Sequence, residues 1–212
     1  MKYITVATLA GTAMLFAGAA SAQQGVDFSK VEIKTTDLGN KTPPAEADAV
    51  PSETFIVGDK KLELGGRVAV LKHVYNAHTD GDTWVIFPDA NVLVTGDVYG
   101  SRTYPNLDWG SGGTIDGMIL ALETFLKAAN DATKIVPGHG PVATKANLQE
   151  FHDMMVTARD RVKKLYDAGK TEQEVLAADP LADLNMKWAS PQGITSGPSF
   201  LRNVYNSFRN HN

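Results

Sequence analysis

Three short polar clusters hold the side chains best suited to chemistry: Asn-Ala-His-Thr-Asp-Gly-Asp over residues 76–82, Thr-Gly-Asp over 95–97, and Pro-Gly-His-Gly-Pro over 137–141. Each sets a histidine or an aspartate just beyond a hydrophobic run, namely His78, Asp97 and His139. Imidazole and carboxylate are donors suited to zinc and similar ions, and the adjacent glycines let backbone crowd close to a metal. Singly, each cluster is a weak signal. A Gly-Asp after a strand is usually a turn, and a lone histidine is usually structural or solvated. Spaced 19 residues apart (78 to 97) and then 42 (97 to 139), the three form a much more specific set. There is no cysteine, so disulfides, thiol nucleophiles and thiolate ligands are excluded together.

The elements that must position these residues follow from pattern. The 212 residues are 43% hydrophobic and 21% charged, which suits a globular chain with a sizeable core. A formal charge of -4 supplies no basic field for a phosphate backbone, so no nucleic-acid partner is expected. Residues 1–22 read as a signal peptide: Lys2 starts it, an apolar and small-residue run covers 4–19, and Ala20-Ser21-Ala22 offers a cleavage site. The expected mature protein is periplasmic or secreted and has no membrane segment once the leader is removed. Residues 23–41 form an N-terminal segment with a candidate edge strand over 31–35. Residues 42–53, proline-bearing and acidic, read as a linker.

From residue 54 to 212 one mixed α/β domain is expected. Short strands are predicted over 54–57, 61–64, 67–74, 84–87 and 91–95, with a hairpin turn at 88–91. A helical period then begins after Thr114, a candidate N-cap, and runs to Ala129. A strand over 134–136 leads into the third polar cluster. Further helices are predicted from Thr144 to Ala168, from the capping box at 171–174, and over 198–208. His73 and His152 read as structural or core-edge histidines, and His211 as part of a frayed tail. Met118, Met154 and Met155 read as core filling. Trp84, Trp109 and Trp188 read as core or half-buried, with the glycine loop at 109–113 as an alternative substrate mouth.

In combination, "AHTDGDTW", "NVLVTGD" and "KIVPGHGP" resemble the C-terminal half of the metallo-β-lactamase superfamily, over residues 54 to about 169. The resemblance implies an αββα sandwich with a two-zinc site between its sheets. Carried over by position, His78 would hold one metal, Asp97 would bridge both and act in catalysis with a metal-activated water, and His139 would hold the second. Asp80 and Asp82 would support the ligands or shape their loop. The implied substrate is a small molecule, a lactam, thioester, ester or lactone, with the metals polarising its reacting oxygen.

The sequence also departs from this family. The ligand signature H-x-H-x-D-H of the N-terminal half is missing, because no histidine precedes His73. The linker at 42–53 stands where several elements should be, so the sandwich is expected to be incomplete, with its C-terminal half retained. Two functions follow. One is an exported metal-dependent hydrolase, impaired by the lost ligands and holding zero or one zinc where intact relatives hold two. The other is a non-catalytic remnant that at most binds or oligomerises. His78, Asp97 and His139 are expected to converge at one sheet edge. The apolar faces of Phe55, Val57, Val68, Val70, Val85 and Phe87 are expected to lack a cover and to drive self-association.

Overall fold

A computed structural model describes residues 33–34, 41–42, 55 and 57–211. The chain divides between Phe55 and Ile56 into two compact units. In the first, β1 (Ile33–Lys34) pairs antiparallel with β2 (Lys41–Thr42), Ile33 lying opposite Thr42. The expected leader at 1–22 and nearly all of the linker at 42–53 lie outside the described residues.

Of the expected strand over 54–57, residues 54 and 56 lie outside the described residues, and neither Phe55 nor Val57 belongs to a strand. Gly58 has φ +84°, a turn geometry that ends any extended run there, and Val57 is 84% exposed. The sheet of the second unit starts one residue later with β3 (Asp59–Leu64), followed by β4 (Arg67–His73), β5 (Thr83–Phe87) and β6 (Val92–Gly100). These four form an antiparallel meander. The last strand, β7 (Lys134–His139), instead pairs parallel with β6. A parallel neighbour requires a crossover, and α1 (Ile115–Ala128) lies within it. Next come α2 (Lys145–Asp167), α3 (Glu172–Ala178), α4 (Ala182–Trp188) and α5 (Gly197–Ser207). Sequence pattern did not reveal α4, a seven-residue helix with a single buried side chain, Trp188.

Register assigns the two sheet faces. Val70, Ile86, Leu93 and Ile135 are direct cross-strand partners and so share one face. That face meets the helices, with Leu93 and Ile135 buried in a core with Phe125, Leu122, Phe151 and Met155. Trp84 tilts onto Phe125 of α1 with ring centroids 5.0 Å apart. Met118, Met154 and Met155 are buried core residues, as expected. Leu71, Val85, Val94 and Val136 form the row on the opposite face, each half-buried. The expected apolar patch is divided between the two faces of the sheet. Val68 and Val70 point to the helix side, whereas Val85 and Phe87 point away, because residues one apart in a strand alternate faces. Among its described residues this unit has one sheet with helices on one face, the β-plus-α half of the sandwich.

The helices carry readable stop and start signals. Thr114 caps α1 by accepting the Gly117 N–H at 3.0 Å. Thr171 caps α3, and Glu174 accepts back from the Thr171 N–H at 2.8 Å and from Lys170 Nζ at 2.9 Å. The Lys170 bond first, and then the Thr171 bonds, pull the Glu174 carboxyl from 4.5 down to about 2. A carboxylate with a depressed folded pKa contributes stability above its unfolded pKa and loses it as pH falls through the folded value. Glu174→Gln should therefore be less stable than the parent at pH 6, and the gap should close between about pH 4.5 and 2. Urea denaturation across that range is the check.

Candidate metal centre

The parallel pairing of β6 with β7 brings two of the three candidate residues together. The strands run in the same direction, so Asp97 of β6 and His139 at the end of β7 emerge at the same end of the sheet. Both strands are longer than pattern predicted, since the ladder continues to a Gly100–His139 pairing. It does so through register shifts around Gly96, whose φ of +57° marks a bulge. Bulges re-aim the side chains that follow. Here Asp97 Oδ1 lies 3.3 Å from His139 Nε2.

Room for that carboxylate comes from Gly138. A Cβ on this residue would sit 2.1 Å from Asp97 Oδ1 and 2.8 Å from the Gly96 carbonyl group. No side chain fits there.

His78 reaches the same carboxylate from a loop between β4 and β5. Val74 N–H donates to the Asp82 carbonyl at 3.0 Å and closes the loop. Asn76 turns it with φ +51°, a conformation asparagine tolerates. Thr114, the cap of α1, also ties it down, its N–H and Oγ1 each donating to the Asn76 carbonyl at 2.9 Å. Gly113 lets the next segment pass close, because a Cβ there would lie 2.1 Å from the His78 carbonyl oxygen. The His78 side chain is only 5% exposed, and its Nε2 lies 3.8 Å from Asp97 Oδ2.

The other nitrogen of His78 is engaged. Nδ1 lies 2.5 Å from the Asn106 carbonyl oxygen, so Nδ1–H donates and Nε2 keeps its lone pair when the ring is neutral. This is how a protein fixes a ligating imidazole. Asp97 thus offers one oxygen to each of two imidazoles. Among the described residues, no group of three or more His, Asp or Glu side chains is gathered closely enough to hold one ion.

Asp82 and Asp80 serve the loop. Asp82 accepts from the Thr79 N–H at 2.9 Å and from Thr79 Oγ1 at 3.1 Å, and burial pushes its carboxyl up. Asp80 acts through its backbone, its N–H donating to the Ser111 carbonyl at 3.0 Å and its carbonyl accepting from His73 Nε2 at 2.8 Å. That bond, and an edge-on contact with Tyr75, give His73 a structural place. His152 lies between helices, its Nε2 3.9 Å from Glu123 of α1. Trp84 and Trp188 are buried, while Trp109 is 38% exposed on the turn that folds over the His78 loop. Sequence reading missed Asn106, which acts through a carbonyl every residue possesses. It noted the glycines of the third cluster but not which one the carboxylate requires.

No family profile and no curated protein matches this sequence. Solved structures do. The stereoselective inverting sec-alkylsulfatase Pisa1 from Pseudomonas sp. is 16% identical over 81% of this chain and 28% of that one, with a TM-score of 0.59. A metallo-β-lactamase from Pontibacter korlensis is 22% identical over 50% of this chain and 48% of that one, with a TM-score of 0.44. The fold is metallo-β-lactamase-like and incomplete. This metallo-β-lactamase-like chain spans about half the length of the Pontibacter korlensis protein and less than a third of Pisa1.

Gly138→Ala tests the packing that seats Asp97. The added methyl must displace the carboxylate, costing about 1–3 kcal/mol as overpacking does. The His139 imidazole signals should shift in the NMR spectrum while those of the α1–α2 core stay in place. An unshifted His139 would mean that Gly138 does not seat Asp97.

Proposed function

We propose that this chain is an exported metal-dependent hydrolase of β-lactamase-like type whose own residues supply half of a two-zinc centre. One observation carries the reading: the two oxygens of Asp97 face two different imidazoles, at 3.8 Å and 3.3 Å. The Nε2 lone pair of a neutral His78 and the Asp97 carboxylate set acceptor against acceptor, and a cation between them relieves that conflict. The locked Nδ1 of His78 and the space kept open by Gly138 also fit a ligand role.

The fit extends to half of the group. His78 with one Asp97 oxygen would hold one ion, and His139 with the other oxygen a second. Each ion would then find two protein donors, where zinc ordinarily takes three or four. When bound, such a metal supplies Lewis-acid polarisation of the reacting oxygen and a water acidic enough to ionise near neutral pH. The chain's own residues orient what binds: Asn106 holds the His78 ring, the Gly96 bulge aims Asp97, and the loop over 104–113 shields His78 from water. The proposed substrate is a small lactam, thioester, ester or lactone. The lack of a three-donor group among the described residues favours a second reading, a remnant that binds but does not turn over.

Metal stoichiometry separates these readings. The purified chain should hold at most one zinc, weakly, and Asp97→Asn should abolish that binding, as followed by elemental analysis and calorimetric titration. Hydrolysis of a chromogenic lactam or thioester should be far below that of a complete two-zinc enzyme. Two tightly held ions in a monomer would sink the half-centre, and no zinc at all would leave the remnant.

Export and self-association belong to the same proposal. Expressed with its leader in a Gram-negative host, the protein should be recovered from the periplasm with Gln23 as its first residue, as read by intact-mass spectrometry. Sedimentation of residues 23–212 at micromolar concentration should show self-association; a compact monomer would count against it.

A further inference from the structure

Near the ends of β6 and β7 lies a cavity of about 370 Å³, none of whose lining residues is a candidate metal ligand. That volume is within the range of small-molecule sites. Its position is fixed by the same strand ends: Ser101 N–H donates to the His139 carbonyl at 2.9 Å, and the wall continues through Pro141 and Val142. Tyr99 and Trp188 give it aromatic surface, while Val142 is 61% exposed at the rim.

The polar groups in this cavity are unequal in what they have left to offer. Lys187 is committed, paired with Glu150 and placed 4.9 Å over the Trp188 ring. Those two charges cancel. Asn147 spends its Oδ1 on the Thr144 N–H and Oγ1 that cap α2, which leaves its amide N–H groups free to donate. Arg102 has no hydrogen-bonding or ionic partner among the described residues, and it lines the cavity. Its φ of +75° lies in the left-handed region, where glycine is at ease and an arginine is strained. Strain of this kind is retained where a side chain is needed in that place. A net positive charge, a spare amide donor and an aromatic wall define one class of ligand.

We infer that this cavity binds a small organic anion, a carboxylate or sulfate monoester carrying an apolar body, with Arg102 and Asn147 on the anion and Trp188 against the body. The site requires no metal at Asp97, so its test is run in chelator and reads separately from the hydrolase proposal. The probe is phenylacetate, titrated into the ¹⁵N-labelled full chain, with phenylacetamide as the neutral control. Saturable shifts are expected at the Trp188 indole N–H and the Val142 amide, with the amide control at least about tenfold weaker, since a charge-assisted hydrogen bond is worth roughly 1.5–3 kcal/mol.

Arg102→Gly should cost at least about tenfold in affinity, and its thermal midpoint should hold or rise because glycine relaxes the backbone. Asn147→Asp keeps the capping oxygen, replaces the donor with a negative charge, and should weaken phenylacetate without weakening phenylacetamide. Equal binding of the two probes would overturn the inference. So would shifts centred on His78 instead of Trp188, or affinity untouched by both substitutions.

Discussion

Everything at this site depends on where one carboxylate is placed. Asp97 lies on a parallel strand pair, just beyond a bulge at Gly96, and Gly138 leaves the space its Oδ1 occupies. Two imidazoles then face its two oxygens. A carboxylate set against imidazole nitrogens needs a proton or a cation between them to be favourable, and half of its surface is turned away from water. The helical core sustains the arrangement from behind. Leu93 and Ile135, on the same two strands, pack into it, so a shift of β6 against β7 would disturb buried side chains as well as the site.

The loop carrying His78 shows how the rest was made to agree. Thr114 performs two tasks with one side chain, capping α1 and tying the loop at Asn76. Helix position and ligand position are therefore set by one residue. The segment over 104–113 is braced on its far side by the C-terminal helices: Tyr104 stacks on Phe200 with ring centroids 4.2 Å apart, its hydroxyl donates to Asn185 Oδ1 at 3.1 Å, and its N–H donates to the Trp188 carbonyl at 2.7 Å. Burial pushes the Tyr104 phenol well above its ordinary range, so that hydroxyl stays a donor at any working pH. The C-terminal helices thus hold the segment whose Asn106 carbonyl locks His78.

Much of this was legible in the sequence, and the reasons for what was not are physical. Periodicity located α1 and α2 within a residue or two because each buries a continuous stripe, from Ile115 to Leu126 and from Leu148 to Val162. The three polar clusters announced the site because glycine and proline punctuate where strands stop. The extent of β6 was hidden: Gly96 reads as a strand end, whereas here it is a bulge with the strand continuing to Gly100. The sheet faces were misjudged over 68–70 because alternation reveals two faces without saying which one meets the helices. The cavity beside His139 left no trace, since its walls come from β6, the loop after β7, α2 and the end of α4, and no local pattern joins residues so far apart in sequence.

The two arms of the site are not equivalent, and this decides which one a single cation would occupy. His78 is 5% exposed and anchored through Nδ1, whereas His139 is 76% exposed and, beyond Asp97, has no side-chain partner among the described residues. Binding at the His139 arm must order a free ring, a cost of about 0.5–1.5 kcal/mol for an immobilised side chain, and must compete with water around it. The His78 arm has met both costs during folding. Its ring cannot turn without breaking the Asn106 bond, its tautomer is set, and its surroundings exclude the solvent that would screen a charge. An ion shared with Asp97 Oδ2 would therefore reside on the buried side.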